Sequence, residues 1–347
     1  MSTSDAMPSP DVPAAPVGAA PIDPQSQPEA PRPPRGAVIP GRPFGAHVRT
    51  RWWAPIAVLV SLMVIMFGAQ IVLGMVWVLV TIALKGPQAI DQSITPGLML
   101  LTNLSLALLI PCSLLAMRWI AGVPWRAVLS AGRCFSWGRL LRSVLVVLGL
   151  FALGLGAAAL VTPELRGPDL LRIGSSTIPL LVVALLTTPI QAAGEEIMFR
   201  GTLLPLLGSW IRARRGALVL GTVLSTVLFG LVHGATDPWL ALYYTGFGLC
   251  GALLALATGG LEAPIAFHAG NNLIFMVMAA LSAGDGGLVI DRSAAGGAGG
   301  PWVLAMLGLD LVVVAVLAIL GRRRNRCEGR GSTAEVPANG ATRTAGE

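Results

Sequence analysis

The stretch Gly194-Glu195-Glu196-Ile197-Met198-Phe199-Arg200 sets three ionisable residues inside an apolar run extending from about Ile178 to Leu207. In hydrocarbon an unpaired charge costs at least ~2.5–3.5 kcal/mol, so three together require partners or a water-filled cavity. Helical spacing sorts them. Glu196 and Arg200 stand four residues apart, one turn along the same face, with the acid on the N-terminal side, the better orientation for an ion pair. Glu195 lies about 100° round from Glu196, on the stripe shared with Phe199, and is left unpaired. A Glu196–Arg200 pair would then hold the helix while Glu195 faces a cavity. The competing reading makes all three one structural ion network, since such networks also perturb their members.

The rest of the composition agrees with a membrane setting. The 347 residues are 54% hydrophobic and 12% charged, with mean hydropathy +0.74, whereas soluble chains carry ~25% charged residues. The expected fold class is all-α, a polytopic transmembrane helix bundle. The net charge of +7 is concentrated beside the apolar runs, as orientation in a bilayer requires, so the lipid bilayer is the expected partner and nucleic acid is not. Cys112, Cys134, Cys250 and Cys327 show no paired or regular spacing. They read as free thiols, neither a disulfide framework nor a zinc knuckle.

Residues 1–51 hold 12 of the 26 prolines and few large apolar residues, and are expected to be a disordered cytoplasmic tail. Its start lacks the charged-then-apolar pattern of a secretory signal. Trp52 and Trp53 follow as interfacial anchors. Apolar runs long enough to span, ~20 residues each, then fall at about 54–84, 97–117, 140–161, 178–208, 216–235, 239–258, 263–283 and 301–321. The eight runs, with their flanks, make residues 52–321 the transmembrane bundle. The first run exceeds what a bilayer needs and must tilt or project. The fourth carries Pro189, which is expected to kink it or split it in two. Residues 322–347, polar and rich in Arg, read as a second disordered cytoplasmic tail.

Loop charges set the orientation. The N-terminal tail, the loop with Arg118, Arg126, Arg133 and Arg139, the loop with Arg212, Arg214 and Arg215, and the tail with Arg322, Arg323, Arg324 and Arg326 are basic. They alternate with loops holding Lys85 and Asp91, then Glu164, Arg166, Asp169 and Arg172, then Asp237, then Asp285, Asp291 and Arg292. Eight spans keep this alternation in phase and put both termini in the cytoplasm, in a multi-pass protein of the plasma (cytoplasmic) membrane.

Of three histidines, His233 and His268 lie in apolar surroundings, and Asn272 shares the helical face of His268, with Asn271 nearly on it. Taken singly, each histidine reads as a packing residue. Two histidines, an amide pair and Glu-Glu-x-x-x-Arg in one short bundle are sufficient for hydrolysis. A desolvated Glu can act as general base with His sharing the water proton, and imidazole and carboxamide donors supply what an oxyanion needs. Alternatively Glu195, His233 and His268 are a three-ligand set for a divalent metal such as zinc. The residues themselves leave both routes open.

These positions resemble a known family. Glu195-Glu196-x-x-x-Arg200, Phe229-x-x-x-His233 and His268-x-x-x-Asn272 are similar, in order and spacing, to the three motifs of the CPBP intramembrane proteases, the CAAX-protease and bacteriocin-processing (Abi) family. Met198-Phe199-Arg200-Gly201 and Pro264-Ile265-Ala266-Phe267-His268 match the usual surroundings, and the resemblance covers about residues 178–275. It implies an intramembrane endopeptidase acting on a membrane-associated peptide or protein. Glu195 and His233 would activate water, His268 and Asn272 would stabilise the oxyanion, and Glu196 and Arg200 would support them. A prenylated substrate is not expected from the residues. The rivals are a non-catalytic scaffold or bacteriocin self-immunity protein of the same fold, and a transporter using Glu and His as a proton relay. The intact motif positions weigh against the first and the lack of a second acidic motif against the second.

Ideal spans raise one conflict. They put His233 near the outer end of the fifth span and His268 a turn inside the opposite end of the seventh, a separation of ~20 Å at 1.5 Å per residue. A shared site requires the fifth helix to tilt or begin deeper, or the sixth to be short or re-entrant. Asp310, midway along the eighth run, is expected to be a hydrogen-bonded structural acid or part of a proton path. Gly246, Gly248, Gly251, Ala252 and Ala255 in the sixth run favour close helix packing.

Overall fold

A computed structural model of the chain describes residues 36–90, 93–161, 171–289 and 291–334, with side chains to residue 323. Among these residues eight helices are long and apolar enough to cross a membrane. In chain order the helical elements are α1 (Ala54–Lys85), α2 (Pro96–Ala107), α3 (Leu109–Trp119), the short α4 (Arg126–Leu129) and α5 (Trp137–Val161). They continue with α6 (Thr177–Glu196), α7 (Leu204–Gly208), α8 (Arg214–Val232), α9 (Pro238–Thr258), α10 (Glu262–Ser282) and α11 (Trp302–Ala334). α2 with α3 makes one span, and α6 with α7 another.

The span ends carry ordinary helix chemistry. Thr95 caps α2, accepting from the Leu98 N–H at 3.4 Å, with Pro96 at the first helical position. Asp237 caps α9 through the N–H groups of Trp239 and Leu240 at 2.8 and 3.0 Å, again ahead of a proline. Gly259, with φ of 73°, ends α9 in the left-handed conformation that glycine adopts without a Cβ penalty.

Three sequence expectations change. Residues 36–50, assigned to the disordered tail, form an antiparallel hairpin of β1 (Gly36–Val38) and β2 (Val48–Thr50). Phe44, Ala46 and Val48 are buried, His47 Nε2 donates to Ala127 O at 2.8 Å, and Thr50 Oγ1 donates to Ala121 O at 3.2 Å. A few apolar side chains with a docking surface thus outweigh the local proline content. At the other end α11 continues past residue 321 to Ala334, because extending a nucleated helix adds a hydrogen bond for each residue fixed. Finally, of the kink or split expected at Pro189 the split does not occur; α6 stays helical to Glu196. Residues 1–35 and 335–347 of the expected tails, and Asp91, Glu164, Asp169 and Arg166 of the loop-charge pattern, lie outside the described residues, as do the side chains of Arg324, Arg326 and Cys327. Cys112, Cys134 and Cys250 are free thiols.

Spans that alternate in direction put the hairpin, the 120–136 segment, residues 209–213 and the turn at 259–261 on one side. The segments at 86–90, 93–95, 171–176, 233–237, 283–289 and 291–301 lie on the other. α6 and α10 pack together at the centre, α2 and α5 flank them, and α8, α9 and α11 pack in series alongside. Gly194 permits a close approach of α2 to α6, since a Cβ there would run into the Leu106 carbonyl. The three motifs therefore converge on neighbouring helices.

Candidate active site

After Glu196 the fourth span departs from α geometry. Ile197–Leu203 is a π-helical stretch, wholly buried, in which the Leu204 N–H reaches back five residues to Phe199 O. Ser225 Oγ on α8 also donates to that carbonyl, at 2.8 Å. π-turns inside α-helices are frequent at functional sites. Here the turn lies directly after the acidic pair, eight residues beyond Pro189.

Arg200, inside the π stretch, is fully buried. Its Nη1 lies 2.9 Å from Glu196 Oε1, and its Nη2 donates to Gly248 O at 2.9 Å. The guanidinium carbon sits 4.2 Å from the Phe229 ring centroid and 5.9 Å from that of Phe199, which adds cation–π attraction in a desolvated place. Gly251 and Gly248 make the room. A Cβ at Gly251 would stand 2.9–3.1 Å from the guanidinium, and one at Gly248 3.1 Å from Phe229.

His268 joins the two carboxylates. Its Nδ1 donates to Glu196 Oε1 at 2.8 Å, and its Nε2 lies 3.8 Å from Glu195 Oε2. Glu195 Oε1 accepts from Gln191 Nε2 at 2.5 Å, while Oε2 has no hydrogen-bond partner among the described residues. Asn272 Nδ2 donates to Gln191 Oε1 at 3.3 Å. Gln191 thus ties the α10 amide to the α6 carboxylate. The sequence reading did not pick it out, although an amide one helical turn before Glu195 in an apolar run is a usable signal.

His233 follows the last residue of α8. Its Nδ1 donates to Phe229 O at 2.7 Å, which leaves Nε2 as the acceptor in the neutral ring. The ring stacks on Tyr244, centroids 4.2 Å apart and planes at 20°. Tyr244 OH accepts from Arg292 Nε at 3.1 Å, and Arg292 Nη1 donates to His233 O at 3.3 Å. Tyr243 donates to Asn271 Oδ1 at 3.2 Å. Neither tyrosine was marked by the sequence reading.

The two histidines do meet, against the ~20 Å expected of ideal spans. Both rings pack on Phe229, with centroids at 4.7 Å for His233 and 5.8 Å for His268. The sixth span is not short, with 21 residues. Instead α10 begins inside the protein: Glu262–Asn271 are all buried, and Glu262 is held by the Arg133 guanidinium. α8 begins with exposed arginines. The register between the helices is therefore offset.

A cavity of about 790 Å³ is lined by Glu195, Gln191, His233 and Asn272, with Tyr243, Tyr244 and Asn271 beside them. Met66, Met99, Leu106, Phe199, Phe275 and Met276 supply its apolar wall. Ile94, Arg172, Leu288, Val289 and Arg292 line it on the side opposite the hairpin. His268 lies behind this lining, among the carboxylates and the rings of Phe229 and Phe247. Asp310 also lies off the cavity. It is fully buried, and neither carboxyl oxygen has a hydrogen-bond partner among the described residues, contrary to the expected hydrogen-bonded acid.

Among the described residues no group of three or more His, Cys, Asp and Glu side chains is placed to hold an ion, Glu195, His233 and His268 included.

The fold is thus a multi-pass helix bundle that brings Glu195, His233 and Asn272 to one cavity between its spans. Residues 175–274 match the family model of the type II CAAX prenyl endopeptidases, Rce1-like. The chain is also 29% identical over 170 residues to the uncharacterized protein YyaK of Bacillus subtilis (strain 168), covering 47% of this chain and 55% of the relative. It thus spans about half the length of that curated relative. No solved structure matches the chain.

Proposed function

We propose that the protein is an intramembrane endopeptidase that hydrolyses a peptide bond in a membrane-associated peptide or protein, in the cytoplasmic membrane and with both termini cytoplasmic. The observation that carries this reading is the meeting of Glu195, His233 and Asn272 on one cavity, with Glu195 Oε2 free of any hydrogen-bond partner among the described residues. The family match at residues 175–274 supports the reaction class.

In this reading Glu195 Oε2 takes a proton from a water molecule as the water oxygen attacks the scissile carbonyl carbon. Gln191 holds the other carboxylate oxygen and so fixes the direction of Oε2. His233 Nε2, unprotonated while Nδ1 is bound to Phe229 O, shares the water proton. The developing oxyanion accepts from the second N–H of the Asn272 amide, while His268, behind the lining and held by Glu196 through Nδ1, keeps the two carboxylates in place. The proton then passes to the leaving nitrogen as the C–N bond breaks, giving a carboxylate and an amine. No step of this reading is routed through a metal.

The test uses purified protein in liposomes with an internally quenched peptide carrying a lipid anchor. Glu195→Gln and His233→Ala should each slow cleavage by about 10²–10⁴-fold, the usual worth of general acid–base catalysis. A chelator should leave the wild-type rate unchanged. Undiminished cleavage by Glu195→Gln would sink the assignment of Glu195 as the base, and no cleavage by the wild type would put a binding scaffold of the same fold in its place.

A further inference from the structure

On the hairpin side, away from the site, arginines gather without acids. Arg42 donates from both Nη1 and Nη2 to Arg212 O at 3.2 Å, and Arg49 donates from Nη2 to the same carbonyl at 3.0 Å and from Nη1 to Ser209 O at 3.0 Å. Two guanidiniums thus crowd one neutral oxygen, with Arg212, Arg214 and Arg215 adjoining. None of the five has a carboxylate partner among the described residues, and Glu262, near this face, is taken by Arg133. Burial first, and then the charges of Arg42 and Arg212, pull the Arg49 pKa down. A cluster that repels itself in this way is stabilised by an anion.

The cluster adjoins a cavity of about 460 Å³ between the hairpin and the start of α8, lined by Val38–Pro43, His47, Ala131, Gly132 and Arg214. The first turn of α8 opens beside it, with no side-chain cap at Ala213, so the positive end of the helix dipole adds to the guanidiniums. Depth identifies the source of the anion. Trp52, Trp53, Trp119, Trp125, Trp137 and Trp210 are all exposed on this side, and Trp210 Nε1 donates to Trp52 O at 2.7 Å. Tryptophans of this kind sit at the level of lipid headgroups. We propose that this cavity binds the phosphate of an anionic phospholipid headgroup, with Arg42 and Arg214 as its principal contacts and acyl chains running down the apolar outer faces of the neighbouring spans. Basic pockets between spans are a recurring form of lipid recognition.

The experiment follows thermal unfolding of the purified full chain in a neutral maltoside detergent. It is titrated separately with short-chain phosphatidylglycerol, short-chain phosphatidylcholine and inorganic phosphate. Wild type should be stabilised saturably by phosphatidylglycerol alone. Each surface arginine is worth roughly a fivefold change in affinity. The Arg42→Gln/Arg214→Gln variant should therefore bind about 25-fold more weakly, and Arg322→Gln/Arg323→Gln, in the basic end of α11, as tightly as wild type. If the double variant does not fold, Arg214→Gln alone should cost about fivefold, since its guanidinium makes no hydrogen bond among the described residues. Unchanged affinity in the site variants, or an equal response to phosphatidylcholine, overturns the proposal. Equal saturable stabilisation by inorganic phosphate overturns the lipid assignment.

Discussion

Truncating Arg200 to alanine removes the guanidinium paired with Glu196 and leaves that carboxylate buried with His268 as its remaining partner. Breaking a buried ion pair by deleting one member costs about 3–5 kcal/mol. The lost hydrogen bond to Gly248 O and the cavity left behind are part of that cost, so they are not added to it. Against the ~5–15 kcal/mol by which domains are stable, the loss amounts to a third or more. Arg200→Ala should therefore accumulate poorly, unfold well below wild type in detergent, and be inactive even where folded, because nothing then fixes the Glu196 carboxylate that positions His268. The sign of a second variant sharpens the point. Glu196→Gln/Arg200→Met removes both charges and keeps the volume, so it should be more stable than Arg200→Ala, since replacing a buried pair with neutral groups of similar volume is far less damaging than orphaning one charge. Thermal unfolding of the three proteins in one detergent decides it. Wild-type stability in Arg200→Ala, or a double variant no better than the single one, would refute the reasoning.

Three further outcomes follow from named contacts. Gly251→Ala puts a methyl 2.9–3.1 Å from the Arg200 guanidinium, and should cost about 1–3 kcal/mol by overpacking; an unchanged unfolding temperature would show that the guanidinium can move aside. Gln191→Leu frees Glu195 Oε1 and, at the usual worth of a hydrogen bond to a charged group, should lower kcat about 10–100-fold with KM little changed; a loss confined to KM would make Gln191 a substrate-binding group instead. His47, outside the spans, has its pKa lowered from 6.5, chiefly by burial. The unfolded chain then binds more protons, so hairpin stability is full above about pH 6.5 and falls as pH drops through that value toward the lower folded one. His47→Gln should abolish this part of the pH dependence, and a wild-type minus variant difference that is flat between about pH 8 and 5 would contradict it.

The eight spans were legible because each is an apolar run of about 20 residues, a signal that needs no tertiary knowledge. The hairpin was not. Phe44, His47 and Val48 are isolated in a polar, proline-rich tail, and only tertiary surfaces, residues 121–127 and the Leu204, Leu218 and Leu256 side chains beside Gly45 among them, give them something to bury against. The π stretch was equally hidden. Ile197–Leu203 has no local preference for it, and the extra residue per turn is held by Ser225 from another helix. In the site, the motif positions could be picked out by type and spacing, but what each side chain touches could not. His268 lies between two carboxylates instead of opening on the cavity, and its nearness to His233 depends on how deep α10 starts, which the recessed, buried Glu262 decides. The glycines of the sixth span read as packing residues. Two of them are the space that Arg200 and Phe229 occupy.

The most direct test of the central claim compares newly generated peptide termini in membranes holding the wild-type protein with those holding Glu195→Gln at matched abundance. The account predicts termini that appear only with the wild type, from membrane-associated proteins or peptides, and that also vanish with His233→Ala. Identical sets of termini in all three membranes would contradict proteolysis at this site.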